Sequence, residues 1–383
     1  MKDTLANPTP ASLLNATAPQ RNGDSGHTPR IAVAGVSGYA GGELARLLLQ
    51  HPRLHEAAPT FLGRVGEAEV STNTYLDDLH PHLSNPNPKT GAHRSNPVLP
   101  FSWDRLADAG TDVLFLATPH EQSREWVPEA MERGIKVIDL SGAWRLQEAS
   151  NREVYHLKDA DPKLAAALQA EAVYGCPELH REAIRGARLV ANPGCYSTSI
   201  ILALAPLLQA GLADLDHGII CDAKSGVSGA GKAATAKTHF MYAADNFSAY
   251  AVFRHRHTGE LLEQLHVGAN QIQFTPHLLP IPRGILSTIY LRLKQSTEPS
   301  AISVVLQSFY RESPLIRLHA SPHLPEIQHV VRTNFCDLGF ALGPDGKRLI
   351  MVSCLDNLLK GAASQAVQNM NLMCGWNEEE GLL

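Results

Sequence analysis

Continuous apolar runs and amphipathic stretches alternate through the first half of the chain. Strands buried on both faces have such runs, because apolar side chains cover both surfaces of their sheet. Strands that alternate with helices predict a parallel α/β sheet. The predicted strands are residues 30–35, 57–62, 111–117 and 135–140, and the predicted helices are residues 43–49 and 123–133.

The pattern changes after this region. Residues 71–100 are rich in Asn, Pro and His, and we expect them to form a long surface excursion. In the second half, the run that begins at Ile200 has helical spacing, residues 285–293 resemble a strand and residues 302–309 a helix. We therefore predict an α/β protein: a Rossmann-type parallel-sheet domain followed by a second domain of α+β character.

Three glycines, Gly35, Gly38 and Gly41, recur every third residue where the first predicted strand meets the following helix. Glycine there permits a tight turn and close approach of a pyrophosphate to backbone N–H groups. The G-x-x-G-x-x-G spacing differs from the common G-x-G-x-x-G fingerprint, and a glycine-rich corner without a nucleotide is the alternative. Arg64 follows the second strand, where an arginine suits the 2′-phosphate of NADP; a solvated surface arginine is the other interpretation.

Residues 191–199, Ala-Asn-Pro-Gly-Cys-Tyr-Ser-Thr-Ser, place a cysteine between a Pro-Gly turn and an apolar run with helical spacing. The thiol of Cys195 is thereby predicted at a helix N-terminus, where free N–H groups and the helix dipole favour the thiolate. The thiolate is the nucleophilic form and suits covalent catalysis on an acyl group. A small buried thiol beside a turn is the alternative.

Two further segments of the second half carry reactive groups. The segment 224–232 contains most of a Walker A loop. Ala233, however, lacks the hydroxyl that would bind Mg²⁺. The remaining functional interpretation is a loop that binds a phosphate or a carboxylate. The cluster 254–257, Arg-His-Arg-His, could supply a general acid/base and an anion grip, or could be exposed basic residues without a role. A metal site is not supported, because no third and fourth ligand follow at a characteristic spacing.

Composition and charge argue against nucleic-acid binding and against a membrane span. The 383 residues carry a net charge of −5, with 44% hydrophobic and 19% charged residues, so no electrostatic footprint for nucleic acid exists. No apolar stretch approaches a membrane span. Residues 1–29 lack a secretory h-region and we expect a disordered extension, a transit peptide being the alternative. Six scattered cysteines without a C-x-x-C pair favour a reduced, cytoplasmic setting.

Several motifs in order resemble the N-acetyl-γ-glutamyl-phosphate reductase family. The resemblance spans nearly the whole chain from residue 30, and its C-terminal part includes 356–363 and 365–371. The motifs are Gly-Val-Ser-Gly-Tyr-Ala-Gly-Gly-Glu (35–43), Asn-Pro-Gly-Cys-Tyr (192–196), Gly-Val-Ser-Gly-Ala-Gly-Lys (226–232), His-Arg-His-Thr (255–258), Thr-Pro-His-Leu-Leu-Pro (275–280) and Arg-Gly-Ile (283–285).

This resemblance implies NADPH-dependent reduction of N-acetyl-glutamyl 5-phosphate in arginine biosynthesis. Cys195 matches the family's nucleophile, which forms a thioester, and His255 matches its acid/base histidine. Arg145 matches an arginine that ends a Leu-Ser-Ala-Asp-Phe-Arg segment and is expected to bind phosphate, although Gly142, Ala143 and Trp144 depart from that segment. The remaining implied substrate-binding residues are Arg256, His257, Glu260 and Ser228. The implied NADP(H)-binding residues are Gly35, Ser37, Gly38, Tyr39, Gly41, Arg64 and Asn357.

The resemblance also implies a domain division and an assembly. Residues 30–193 and 356–383 would form the cofactor domain, with the last helix at about 358–375 returning to it. Residues 194–355 would form the catalytic domain and the interface of a homo-oligomer, a dimer or tetramer. Gly259 and Ser364 depart from the usual proline and glycine. A reductase of the lysine or aspartate pathway, a non-catalytic dinucleotide-binding regulator and a P-loop hydrolase are the alternatives.

Overall fold

The computed structural model describes residues 28–63, 74–84 and 96–383. Within them, the first domain is built on a parallel seven-stranded sheet with strand order β3-β2-β1-β4-β5-β7-β6. Its strands are β1 (Ile31–Ala34), β2 (Thr60–Gly63), β3 (Val98–Pro100), β4 (Val113–Leu116), β5 (Lys136–Asp139), β6 (Val173–Tyr174) and β7 (Leu189–Ala191). Its helices are α1 (Tyr39–Gln50), α2 (Leu76–Leu79), α3 (Trp103–Asp108), α4 (His120–Glu132), α5 (Ala149–Arg152), α6 (Pro162–Glu171) and α7 (Pro177–Arg185).

The strands of this sheet are short and buried, as the apolar runs predict. β1 and β4 are buried at all four positions, and apolar clusters cover both faces of the sheet. Strand order reverses between β1 and β4, since β2 lies on one side of β1 and β4 on the other. In open parallel sheets, ligands bind in the crevice at the carboxyl ends of the strands at such a point.

The expected surface excursion at residues 71–100 needs correction. Its described part contains helix α2 and strand β3, and β3 extends the parallel sheet beside β2. Leu76 and Val98 are each 1% exposed, so they belong to the core. The strand has only three residues, which are too few to show a hydrophobic pattern among the surrounding Asn, Pro and His residues.

A second seven-stranded sheet, with order β12-β13-β14-β11-β8-β10-β9, forms the other described domain. Its strands are β8 (Ile219–Gly226), β9 (Ser248–Ala249), β10 (Ile272–Leu279), β11 (Ile285–Arg292), β12 (Ile316–Leu318), β13 (Cys336–Leu342) and β14 (Arg348–Leu355). Its helices are α8 (Cys195–Gln209), α9 (Phe240–Ala243), α10 (Thr258–Leu265), α11 (Pro299–Tyr310) and α12 (Ile327–Val330). The sheet is mixed, and α8, α10 and α11 share a core with one of its faces.

The chain returns to the first domain after β14. A π-helical turn at Leu359–Ala363 leads into helix α13 (Ser364–Met373), whose ten residues are all buried. Both segments pack against α1, and α13 also packs against α7. Lys360 and Glu178 are fully buried and form an ion pair at 2.7 Å, which ties the π-helical turn to α7.

The six cysteines all lie in the described residues and are free thiols. No helix among the described residues is both long and apolar enough to cross a bilayer. The expected N-terminal extension, apart from residues 28 and 29, lies outside the described residues.

Candidate active site

The loop after β1 forms a glycine cradle at the carboxyl edge of the parallel sheet. Gly35 has φ of +86°, and a Cβ there would lie 2.4 Å from the carbonyl oxygen of Ala117. A Cβ at Gly41 would lie 2.3 Å from the carbonyl oxygen of Gly35. Helix α1 begins with Gly38 as its N-cap and has no side-chain cap, which leaves its first N–H groups for an anion. The cradle therefore fits a dinucleotide pyrophosphate.

The other predicted cofactor residues lie around this cradle where the structure describes them. Ser37 is half-buried in the loop, and Tyr39, the first residue of α1, is 43% exposed. Arg64 lies outside the described residues, so its proposed contact with a 2′-phosphate stays a prediction.

A histidine that the sequence reasoning missed supports the cradle from behind. The ring Nε2 of His80 lies 2.7 Å from the carbonyl oxygen of Val36. A Cβ at Gly42 would lie 2.5 Å from His80 Cε1, so the ring lies directly against the first turn of α1. His80 belongs to a segment that we expected at the surface. No local pattern distinguishes it from its neighbour His82.

Cys195 is the first residue of α8, as its sequence context predicts. Gly194 is the N-cap, with φ of −74° and ψ of 149°, and its carbonyl accepts hydrogen bonds from the N–H and hydroxyl of Thr198. A Cβ at Gly361 would lie 2.8 Å from Cys195 Cβ, so the π-helical turn lies directly behind the cysteine. Cys195 is half-buried where α8 meets the π-helical turn of the C-terminal segment.

Burial acts against the thiolate in this structure. It raises the pKa of the Cys195 thiol to about 11, and the Glu260 carboxylate also raises it. The Arg145 guanidinium and the backbone N–H groups of Tyr196 and Cys195 lower the pKa but do not compensate. The helix N-terminus thus acts in the predicted direction, while desolvation outweighs it.

Glu260 is fully buried beneath the nucleophile, in contrast to its expected role as a substrate ligand. Its carboxylate accepts hydrogen bonds from the Gly194 N–H at 2.9 Å and from the Tyr174 hydroxyl at 2.7 Å. It also pairs with Arg145 at 3.2 Å. With 0% exposure and three donors, the carboxylate holds the turn that carries Cys195. Sequence spacing could not reveal this, since the partners come from three distant segments.

Arg145 also stabilises the turn that carries Cys195. Its Nε donates to the carbonyl of Asn192 at 2.8 Å and its Nη2 to the carbonyl of Leu140 at 2.9 Å. Its guanidinium is buried, and the Glu260 carboxylate raises its pKa, so the charge remains. These contacts make Arg145 a positioning residue for the Asn-Pro-Gly-Cys turn. Direct contact with a phosphate stays a prediction.

His255 lies among aromatic rings, with its ring centroid 5.5 Å from that of Tyr196, the residue after Cys195. Its Nδ1 accepts a hydrogen bond from the backbone N–H of His257 at 3.1 Å, and its Nε2 lies 3.4 Å from the Tyr250 hydroxyl. Burial and the adjacent Arg256 charge lower the pKa of His255 to about 4, so the ring is neutral near pH 7. Burial raises the pKa of the Tyr250 hydroxyl to about 12.

The remaining predicted substrate residues fall into two groups. Arg256 is exposed, with its guanidinium carbon 5.8 Å from the Tyr155 ring centroid, and can reach an anion from solvent. His257 packs on Gly194, since a Cβ at Gly194 would lie 2.4 Å from its Nε2. Burial holds the pKa of His257 well below its ordinary value, so this ring is neutral too.

Ser228 and Asn357 are hydrogen-bonded to each other at the end of the second sheet where β8 and β14 end and β11 begins. Asn357 donates to the Ser228 hydroxyl at 2.9 Å and accepts from the Gly284 N–H at 2.8 Å. Its side chain is 2% exposed, so it joins the loop after β8 to the start of β11. We expected Asn357 to contact the cofactor, and the structure gives it this bridging role.

The described residues contain no cluster of His, Cys, Asp and Glu that could hold a metal ion. The groups present at the site are a thiol, a neutral imidazole, an exposed guanidinium and the N-termini of α1 and α8. This set suits acyl transfer to sulfur next to a dinucleotide-binding cradle.

Two family models match the chain: the semialdehyde dehydrogenase NAD-binding domain over residues 30–187, and the semialdehyde dehydrogenase dimerisation domain over residues 195–357. Among curated proteins, the N-acetyl-gamma-glutamyl-phosphate reductase of Syntrophobacter fumaroxidans is 42% identical over 92% of this chain and 97% of its own length. The protein of the same name from Desulforudis audaxviator is 43% identical over 92% of this chain and 98% of its own length. The protein of that name from Geobacillus stearothermophilus is 41% identical over 92% of this chain and 97% of its own length.

Solved structures show the same fold at lower identity. Aspartate semialdehyde dehydrogenase II from Vibrio cholerae matches with a TM-score of 0.64 and 18% identity, covering 91% of this chain and 98% of that one. A probable aspartate-semialdehyde dehydrogenase from Pseudomonas aeruginosa matches with a TM-score of 0.63 and 20% identity, at 91% and 98% coverage.

Proposed function

We propose, since this chain belongs to the semialdehyde dehydrogenase family and within it to the N-acetyl-gamma-glutamyl-phosphate reductases, that it reduces N-acetyl-L-glutamyl 5-phosphate to N-acetyl-L-glutamate 5-semialdehyde and phosphate. This is a step of arginine biosynthesis. The observation that carries the proposal is Cys195 at the N-terminus of α8, where the ring of the next residue, Tyr196, lies 5.5 Å from the His255 ring.

The reaction begins with attack of the Cys195 sulfur on the acyl carbon, which expels phosphate and leaves a thioester. The N-terminus of α8 stabilises negative charge at the sulfur, and the exposed guanidinium of Arg256 is suited to the phosphate. Glu260 and Arg145 hold the Gly194 turn so that the sulfur keeps its position.

The cofactor we propose is NADP(H), which when bound supplies the hydride that reduces the thioester. The residues that would hold it are the cradle glycines Gly35, Gly38 and Gly41, the N–H groups at the start of α1, and Arg64 at its 2′-phosphate. The matched family model supports a nicotinamide dinucleotide, and Arg64 supports the phosphorylated form.

The test is the reverse reaction, phosphate-dependent oxidation of each candidate semialdehyde, run in parallel with NADP and NAD. We expect turnover with N-acetyl-glutamate semialdehyde and a lower KM for NADP. Cys195→Ser should reduce phosphate-dependent turnover by about 10³-fold or more, because a serine hydroxyl is a far weaker nucleophile. Its circular dichroism and melting temperature should match those of the wild type.

The same experiment can contradict the proposal in two ways. Turnover only with the aspartate or aminoadipate semialdehyde would assign the substrate to another pathway. Full activity of Cys195→Ser would exclude the thioester mechanism, and no activity with any semialdehyde would favour a non-catalytic regulator.

We also propose a homo-oligomer formed through the outer face of the second sheet. Ile220 on β8 and Tyr290 on β11 are directly paired across the strands and are 47% and 42% exposed. The helices α8, α10 and α11 pack on the opposite face, which leaves this apolar pair uncovered in one chain. The matched dimerisation-domain model covers the same strands.

Analytical ultracentrifugation checks this interface. Tyr290→Glu should shift the wild-type oligomer towards a smaller species at micromolar concentration, because a charge would be buried against the partner. Val304→Glu is the matched control: Val304 is 59% exposed but lies on α11, on the opposite side of the sheet. A monomeric wild type, or equal effects of both variants, would refute this interface.

A further inference from the structure

The π-helical turn at Leu359–Ala363 has backbone hydrogen bonds that reach five residues back along the chain. The N–H of Gly361 donates to the carbonyl of Asp356, and that of Ala363 donates to the carbonyl of Leu358, each at 2.9 Å. Such turns are rare, and they are frequent at functional sites. This turn is therefore a candidate for a role in the reaction, beyond linking β14 to α13.

Two contacts join the π-helical turn to the Asn-Pro-Gly-Cys segment before α8. The side-chain amide of Asn192 donates to the carbonyl of Ala362 at 3.1 Å. A Cβ at Gly361 would lie 2.8 Å from Cys195 Cβ and 3.2 Å from the carbonyl oxygen of Asp356. A side chain at Gly361 would therefore displace the cysteine, since the backbone of the turn packs directly against it.

A buried charge connects the π-helical turn to two helices. The ammonium group of Lys360 lies 2.7 Å from a carboxylate oxygen of Glu178 on α7 and donates to the side-chain oxygen of Gln368 on α13, also at 2.7 Å. The side chains of Lys360 and Glu178 are 0% exposed. Burial alone would raise the pKa of Glu178, but the Lys360 charge outweighs burial and holds that pKa below its ordinary value, so the carboxylate is charged.

The burial of this ion pair argues for a geometric role. Moving two charges out of water costs free energy that their attraction offsets only when the geometry is good, so a buried pair is a weak source of stability. The ammonium has three N–H donors, and two of them connect the residue before Gly361 to α7 and α13. These bonds give the π-helical turn one fixed place relative to both helices.

We propose that Lys360 and Gly361 are positioning residues for the reaction of Cys195: the buried Lys360–Glu178 pair holds the π-helical turn, and the turn sets the place of the cysteine from behind. This rests on the proposed function, since it concerns the same nucleophile. Both residues act through the position of Cys195 and not by binding the substrate. Their loss should therefore lower kcat and leave the KM values nearly unchanged.

Gly361→Ala tests the contact with Cys195 directly. We expect kcat to fall by about 100-fold, with KM values within about threefold of the wild type, because a misplacement of about 1 Å has an effect of that size. Gly186→Ala is the matched control, since a Cβ there would lie 4.0 Å from the Ala183 carbonyl oxygen and would displace no neighbour. A Gly361→Ala enzyme as active as the Gly186→Ala control would overturn the proposal.

The double variant Lys360→Met/Glu178→Gln tests the ion pair without leaving a buried charge unpaired. We expect a folded protein with kcat reduced about tenfold or more, because the turn loses its fixed place. The matched control is Arg317→Met/Asp337→Asn, which removes a pair at 2.6 Å whose carboxylate is 2% exposed, on β12 and β13 at the edge of the second sheet. Equal kcat values in the two double variants would overturn the role of the pair. If the first double variant does not fold, Gly361→Ala decides.

A measurement without substrate or cofactor separates this proposal from the proposed function. The rate at which iodoacetamide alkylates Cys195, followed by mass spectrometry of its peptide from about pH 7 to 10, reports the reactivity of the thiol. We expect Gly361→Ala to change this rate about fivefold or more, because the burial of the sulfur and its distance from the N-terminus of α8 change, and Gly186→Ala to leave it unchanged. An unchanged rate in Gly361→Ala would overturn the proposal. A changed rate in a protein that turns over no semialdehyde would contradict the proposed function alone.

Discussion

Single residues at the active site owe their roles to contacts with distant segments. Cys195, Arg145 and Glu260 are all identified by sequence motifs, yet Cys195 is half-buried whereas Arg145 and Glu260 are buried. Arg145 and Glu260 turn inward and hold the Gly194 turn from below. Substrate-facing and supporting charges have the same residue types, so only their burial distinguishes them.

Two departures from the family motif have local explanations. A Cβ at Gly142 would lie 2.1 Å from the Tyr155 ring, so glycine makes room for that buried tyrosine. Trp144 is 1% exposed, and its indole N–H donates to the Ser123 hydroxyl at 3.1 Å. Both residues are accommodated by their neighbours, and Arg145 donates to the Asn192 carbonyl on the loop before Cys195.

Glu260→Gln tests the supporting role at the residue scale. The substitution keeps the shape but removes the charge that pairs with the buried Arg145, so we expect the free energy of unfolding to fall by about 3 kcal/mol. We also expect kcat to fall while the KM values change little, because the Gly194 turn loses its carboxylate acceptor.

Urea unfolding and steady-state kinetics measure both effects. Glu312→Gln is the control, since its pair with Arg311 is exposed at 70% and 76%, and its loss should change stability by less than about 1 kcal/mol. Equal stability losses in the two variants would show that Glu260 does not support the turn.

At the scale of elements, long periodic segments were predictable and short ones were not. The helix that begins at Cys195 and the strand at Ile285–Arg292 lie where their apolar spacing places them. The three-residue strand Val98–Pro100 was missed, because three residues are too few to show a period.

The C-terminal segment also contains an element that sequence periodicity does not predict. The family resemblance implies its helix, but not the π-helical turn at Leu359–Ala363, because a π-turn has no sequence period of its own. The turn places Gly361 against Cys195, and the buried Lys360–Glu178 pair anchors it to α7. Both are tertiary contacts between residues more than 150 positions apart in the chain.

At the scale of the whole molecule, four histidines with lowered pKa values make the fold sensitive to acid. Burial lowers the pKa values of His51, His80, His255 and His257 in the folded protein. The unfolded chain, with ordinary pKa values near 6.5, binds more protons than the folded protein below that pH. Their contribution to stability is therefore complete above about pH 6.5 and is lost as the pH falls.

We expect the free energy of unfolding to decline between pH 7 and 5, by up to about 1.4 kcal/mol per pH unit for each such histidine. Urea unfolding at half-unit pH steps measures this. His51→Gln should flatten the curve, since His51 is fully buried against Asn371, whereas replacing the half-exposed His217 by Gln should not. A stability independent of pH over this range would contradict the argument.

The sequence by itself determined the local features of this protein. Apolar runs specify the buried strands, the glycine spacing specifies the cradle, and the Pro-Gly-Cys order places the thiol at the start of α8, because each depends only on residues adjacent in the chain. Tertiary structure decided the electrostatics of the site. Burial raises the pKa of the Cys195 thiol and lowers that of His255, and a buried carboxylate supports the turn. Those effects depend on desolvation and on contacts between distant segments, which exist only once the two domains have packed.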